Sequence, residues 1–345
     1  MTAHESHGQQ DTAEDGQDAD WRLFKGDGRA KTITFPEAPP WRRFGGDADR
    51  ETDTPHRNRP YLIGAQEADV VNAALLLRRP LLVTGHPGTG KSSLAYAVAH
   101  ELSLGAVLHW PVNSRTTLQE ALYRYDAIGR LRETNMSREP HGGDRSTPLD
   151  SGIGSYLRLG PLGTALVASE LPRVLLVDEL DKGDIDLPND LLNVFEEGEF
   201  EIPELARLRE EQSLVRVMTA DSGQWTEVVR GRVRCSEFPV VIITSNGERD
   251  FPPAFLRRCV RLDLPEPDEN RLRAIISAHL DPQEGSEVHG TPKIDDLMRA
   301  FLARRARGEL ATDQLLNAAF LRRGGVELDA DGLLDAVLHR LARTL

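Results

Sequence analysis

Between the apolar run Leu81-Leu82-Val83 and a helical stretch over 93–102 stands Gly85-His86-Pro87-Gly88-Thr89-Gly90-Lys91-Ser92, and few eight-residue strings restrict a fold as tightly. Three glycines permit backbone conformations that other residues resist, so successive N–H groups can face one concavity. A helix beginning directly behind such a loop adds its positive dipole end. The string completes a G-x-x-x-x-G-K-[ST] pattern, in which Lys91 reaches the β- and γ-phosphates of a nucleotide and the Ser92 hydroxyl reaches Mg²⁺. Gly85 through Ser92, with Ser93 at the helix start, are therefore the candidate phosphate contacts. A strand must deliver this loop and a helix must leave it.

The rest of the chain repeats that alternation. Candidate strands cover 81–84, 107–110, Val174–Asp178, Val240–Ser245 and Val260–Leu264, most of them short apolar or β-branched runs. Such runs suit parallel strands covered on both faces. A helix is expected over Ala65–Leu77. Beyond Pro265 strand signals stop, and helical patterns are expected over 268–280, 294–305, 312–321 and 332–341, with a Gly/Pro break at 281–292. The expected organisation is an α/β domain over 61–265, a small all-helical lid domain over 266–345, and a preceding segment, 1–60. Within that segment residues 1–20 carry six acidic groups and no Lys or Arg, so disorder is expected there. From Trp21 to Pro60, Trp21, Phe24, Phe35, Trp41 and Phe44 sit among prolines, glycines and arginines. An arm that lays aromatic anchors on the core or a neighbour, or a plain linker, both fit.

A net charge of −13 over 345 residues argues against wholesale binding to a nucleic-acid backbone, which needs clustered Lys and Arg. No run approaches the length of a membrane span, and the polar N-terminus has no apolar core for a signal peptide, so a cytoplasmic location is expected. The two cysteines, Cys235 and Cys259, form no C-x-x-C pair and read as reduced, largely buried thiols.

Downstream of the loop, Val174-Leu175-Leu176-Val177-Asp178-Glu179 sets two acids at the end of an apolar strand, the Walker B pattern. Asp178 is the candidate second protein ligand of the Mg²⁺ held by Ser92, and Glu179 the group that orients and polarises water. Asn246 follows the strand Val240–Ser245, at the edge where open α/β sheets bind ligands, and is the candidate sensor of the γ-phosphate. Phe255-Leu256-Arg257-Arg258-Cys259 places two arginines just before the fifth strand. Arg257 or Arg258 is the candidate arginine finger, aimed at a neighbour's nucleotide.

With these motifs in this order the chain resembles the AAA+ ATPases. Asp178-Glu179-Leu180-Asp181-Lys182, Leu187-Pro188-Asn189-Asp190-Leu191-Leu192 and Phe195-Glu196-Glu197-Gly198-Glu199-Phe200 are similar to the MoxR-type branch. The resemblance runs from about Tyr61 to Arg343. It implies a P-loop α/β fold with a parallel five-stranded sheet in the order 5-1-4-3-2 and a C-terminal helical lid. It also implies an insert over 116–161 with a polar loop at 137–155, and a hairpin over 216–237. ATP is the implied nucleotide, with the base flanked by Leu62, Ile63 and Gly64 and read by their backbone atoms. The implied assembly is a homo-oligomeric ring, a hexamer, acting as a chaperone-like remodeller of a protein client, for example a protein with a von Willebrand factor A domain. One departure stands out: the stretch Leu310-Ala311-Thr312-Asp313-Gln314-Leu315-Leu316 has no arginine where a sensor-2 arginine is expected, and Arg322 and Arg323 come two to three turns later.

Two other readings share these residues. A GTPase motor of the modification-dependent restriction type is similar at Asn246-Gly247-Glu248-Arg249-Asp250. A nucleotide-dependent switch or scaffold with little turnover would fit the missing lid arginine.

Overall fold

The computed structural model describes residues 22–24, 26, 30, 32–42, 61–136, 152–280, 292–306, 310–328 and 332–339. The expected disorder of 1–20, Trp21 and Phe44 of the arm, residues 137–151 of the polar loop, the break at 281–291 and the end of the 332–341 helix lie outside them.

The strands are β1 (Leu81–Gly85), β2 (Leu108–Pro111), β3 (Tyr123–Tyr125), β4 (Leu157–Leu159), β5 (Val174–Asp178), β6 (Glu199–Glu201), β7 (Leu214–Met218), β8 (Trp225–Val229), β9 (Arg232–Arg234), β10 (Val240–Ser245) and β11 (Val260–Leu264). Before and between them lie α1 (Ala65–Leu77), α2 (Lys91–Glu101), α3 (Leu118–Leu122), α4 (Ala127–Met136), α5 (Pro161–Ala165), α6 (Leu187–Glu197), α7 (Pro203–Ala206) and α8 (Pro253–Leu256). After β11 come α9 (Glu269–Leu280), α10 (Pro292–Arg305), α11 (Thr312–Arg323) and α12 (Leu333–Val337).

β11, β1, β10, β5 and β2 form one parallel sheet in that spatial order. Counting only these five in chain order gives 5-1-4-3-2, as the resemblance implies, so the strand carrying Asn246 lies between those ending in the phosphate loop and the acid pair. Strand period divides its side chains between two cores. Leu82, Leu175, Val177, Val241 and Ile243 pack on one face, while Leu81, Val83, Val174, Leu176 and Ile242 pack on the other with α1 and α2. Burying each such side chain contributes about 1.5–3 kcal/mol, which is what holds the strand ends in register beneath the site.

A second sheet, in the order β3-β4-β7-β8-β9-β6, was not legible as a unit. The insert and the hairpin, expected as separate features, meet where Arg158 on β4 pairs with Met218 on β7. β7 and β8 run antiparallel, and β8 turns into β9 through Arg230 and Gly231, both at positive φ (53° and 71°), the geometry of a tight two-residue hairpin.

Helices α9 to α12 enclose a third core, with Leu272, Ile276, Leu297, Phe301, Leu315 and Leu328 buried in it. α11 begins against the phosphate loop: a Cβ on Gly88 would lie 2.7 Å from Thr312 N and 2.8 Å from Ala311 Cβ. Of the arm, Phe24 and Phe35 are exposed, whereas Trp41 packs onto the helical core. Cys235 and Cys259 are free and half-buried, and burial pushes the Cys259 thiol up to about 12. Among the described residues no helix is long and apolar enough to cross a membrane.

Candidate functional site

The loop after β1 takes the conformation its glycines were expected to permit, with Gly85, Gly88 and Gly90 at φ 145°, 77° and 90°. Gly90 is the residue before α2 and caps it without a side chain, so the first N–H groups of the helix stay open. The Tyr61 ring crosses Gly90 closely enough that a Cβ there would stand 3.2 Å from it. Lys91 lies folded under the loop, its Nζ donating to the Gly85 and His86 carbonyls at 2.8 and 2.9 Å. Burial lowers its pKa, and the carboxylates of Asp181, Glu179 and Asp178 oppose that. Thr89 Oγ1 donates to His86 O at 2.9 Å and tightens the turn.

Across from the loop, Asp178 and Glu179 stand at the end of β5. Asp178 Oδ1 accepts from Ser92 Oγ at 2.6 Å and Thr244 Oγ1 at 2.7 Å, and Oδ2 lies 3.3 Å from His109 Nε2. Burial would raise this carboxyl's pKa, but the hydrogen bonds from His109, Ser92 and Thr244 outweigh it and hold it down at about 2. Glu179 occupies the left-handed region at φ 60°, a conformation costing about 1–3 kcal/mol outside glycine. Its N–H donates to Thr244 Oγ1 at 2.8 Å, its Oε1 accepts from Asn246 Nδ2 at 3.1 Å, and its Oε2 meets Lys182 Nζ at 2.7 Å. Asp181, buried beneath, accepts the Asn246 and Glu248 N–H groups, each at 3.0 Å, and so fixes the loop that carries the amide.

These groups share one cleft of about 450 Å³. Pro87, Gly88, Thr89, Gly90, Lys91, Ser92, Ser93, Asp178, Glu179 and Asn246 all line it. Gly85 and His86 lie behind the lining and act on it through the carbonyls that hold Lys91. Ile63, one of the three residues expected to flank the base through backbone atoms, packs its side chain against the core shared by α1 and α2, and its neighbours Tyr61 and Leu62 line the cleft. Arg257 and Arg258 are not brought to this cleft. Arg258 is ion-paired with Glu196 and donates to Ala254 O, and the Arg257 carbonyl accepts from Arg79.

Several residues of the site were not singled out from sequence. Thr244 and His109 each sit in a strand that reads as ordinary core sequence. Asp181 and Lys182 were visible within Asp178-Glu179-Leu180-Asp181-Lys182, but nothing there showed that Asp181 turns inward or that Lys182 reaches back to Glu179. From the helical region come Arg271, Ile275, Thr312, Asp313 and Leu316, and from the arm Trp41. Arg271 donates to Leu62 O at 2.8 Å and pairs with Glu67 at 3.4 Å, tying α9 to the segment before α1. Arg323, in contrast, points to Leu280 O.

The chain matches the family model described as AAA domain (dynein-related subfamily) over residues 80–259, just over half its length. Among solved structures it is similar to the crystal structure of NtrX from Brucella abortus in complex with ATP, at 17% identity and a TM-score of 0.41, covering 82% of this chain and 57% of that one. The ADP complex of the same protein gives 15% identity and a TM-score of 0.40, with 85% and 57% covered. The chain thus spans well under two thirds of the solved proteins it matches. No curated protein matches it at a significant level. With the phosphate loop, the acid pair and Asn246 at one end of a five-stranded parallel sheet, and the family match covering those same elements, the chain belongs to the dynein-related subfamily of AAA domains.

Proposed function

We propose that this protein is a Mg²⁺-dependent ATPase of the MoxR type that assembles as a hexameric ring and remodels a protein partner. The observation that carries the reading is the convergence of Lys91, Ser92, Asp178, Glu179 and Asn246 at one end of a single cleft. Each supplies a different part of phosphoryl transfer to water.

The donor chemistry fits Mg²⁺. A hydroxyl and an ionised carboxylate, Ser92 and Asp178, touch each other at 2.6 Å, and hard oxygen donors of this kind hold Mg²⁺ together with phosphate oxygens. When bound, the ion would neutralise charge on the β- and γ-phosphates. Lys91 exchanges two loop carbonyls for phosphate oxygens. Glu179 accepts the proton of the attacking water, and the Asn246 amide keeps the carboxylate aimed. The Glu179–Lys182 pair is well exposed on both sides, so it is worth at most about 1 kcal/mol and yields readily to a nucleotide. Arg257 or Arg258, neither of which lines its own cleft, acts on the cleft of a neighbouring subunit. Exposed Leu214, Trp225 and Val229 on the β7–β8 hairpin offer an apolar surface for a partner, proposed to be a protein with a von Willebrand factor A domain.

One observation favours a second reading, a nucleotide-dependent switch with little turnover. The lid brings Thr312 and Asp313 to the cleft, and Arg323 is turned away. Calorimetric titration with ATP and GTP, sizing with a non-hydrolysable ATP analogue and steady-state phosphate release separate the readings. The ATPase reading expects ATP preferred over GTP, a nucleotide-dependent ring, and phosphate release lost in Lys91→Ala. Tight binding with release no faster than in buffer would establish the switch instead.

A further inference from the structure

The cleft lining carries two kinds of chemistry. One set is the phosphate loop, the acid pair and Asn246. The other comes from separate parts of the chain: the apolar Leu62 before α1, Ile275 and Leu316 from α9 and α11, and Trp41 from the arm, with the polar Arg271, His279, Thr312 and Asp313 among them. Trp41 lies outside the residues matched by the family model, so nothing in that match assigns it a place in the site.

Its position is well defined. The indole Nε1–H donates to Asn317 Oδ1 at 2.9 Å, and the ring meets Phe320 edge-on, with centroids 5.8 Å apart and planes at 73°. Both partners lie on α11, the helix whose start abuts Gly88. With its single polar atom satisfied by the lid, the indole surface lining the cleft is flat and apolar. A flat apolar surface in the lining of a cleft that also holds phosphate contacts suits a heterocyclic base, since stacking on an aromatic ring needs no hydrogen-bond code.

We propose that Trp41 is a base-binding residue of this site. Its indole packs on the purine ring of the bound nucleotide and, being fastened to Asn317 and Phe320, draws the arm and the lid onto the occupied cleft together. The proposal rests on the reading of the cleft as a nucleotide site.

The test compares ATP with inorganic tripolyphosphate, which has the phosphates and no base, by calorimetry on the full chain. Trp41→Ala should weaken ATP about tenfold while leaving tripolyphosphate unchanged, and Trp41→Phe should keep most of the ATP affinity. In the wild type, ATP but not tripolyphosphate should quench indole emission, and Trp41→Phe should remove that change. Equal affinities for ATP in wild type and Trp41→Ala would overturn the proposal. So would equal loss of both ligands in a variant that unfolds at the wild-type temperature. Should Trp41→Ala unfold early, the quench decides: ATP bound by calorimetry without any Trp41-dependent change in emission also overturns it. A wild type that binds neither ligand would refute the nucleotide site itself, a distinct failure.

Discussion

The side chains of Asn246 and Glu179 are hydrogen-bonded, amide Nδ2 to carboxylate Oε1 at 3.1 Å, across 67 positions of sequence. β10 and β5 pair in parallel with Ile243 opposite Val177, and that register brings the two residues to the same edge of the sheet. An amide that fixes a carboxylate determines where a water can be deprotonated. Asn246→Ala should therefore lower the hydrolysis rate by about ten- to a hundredfold, the worth of a hydrogen bond to a charged group, with ATP affinity little changed. Single-turnover kinetics beside calorimetry would show it; unchanged turnover would remove Asn246 from the mechanism.

Thr244 joins the two acids, donating to Asp178 Oδ1 and accepting the Glu179 N–H. Thr244→Val keeps the shape and removes both bonds, leaving a half-buried N–H without its partner. The expected cost is about 1–3 kcal/mol, or a melting temperature lower by about 2–4 °C per kcal/mol, and Thr244→Ser should restore most of it. Thermal unfolding measured without nucleotide isolates this effect from catalysis.

Tyr61 is a contrary case. Its hydroxyl is buried with no hydrogen-bond partner among the described residues, and burial pushes its pKa up to about 12, with Arg271 opposing and Glu67 adding. Tyr61→Phe should thus be neutral or stabilising. The folded protein keeps this phenol neutral where the unfolded chain ionises it. Its contribution is therefore intact below the ordinary value of about 10 and is lost as pH rises through about 12. Denaturant titrations between those limits should show a shallower alkaline loss in Tyr61→Phe than in wild type.

Neither Arg257 nor Arg258 lines its own cleft, so replacing both with Ala should leave ATP binding intact and reduce hydrolysis. Mixing that variant with Glu179→Gln should recover part of the activity, because each supplies what the other lacks at some seams. Mixtures that stay as inactive as their components would place the arginines outside the reaction.

Much of this site was legible because its parts are local strings. The phosphate loop and acid pair lie in short runs whose strand, turn and helix context can be read directly, and Val174–Asp178, Val240–Ser245 and Val260–Leu264 were legible to the residue. The second sheet was not, since β3, β4 and β9 are three residues each and carry Arg within them, too short for a period to show. That Trp41 lines the cleft and that Asp181 turns inward were not legible for another reason: both depend on contacts, with Asn317 and with the Asn246 backbone, which only the folded chain brings near.

The most direct test is to follow ATP binding and phosphate release in the same preparation of Glu179→Gln. Retained ATP affinity with release slowed by about 10²–10⁴-fold is the predicted result. Release at the wild-type rate from that variant would contradict the account, because Glu179 would then not be the group that activates water.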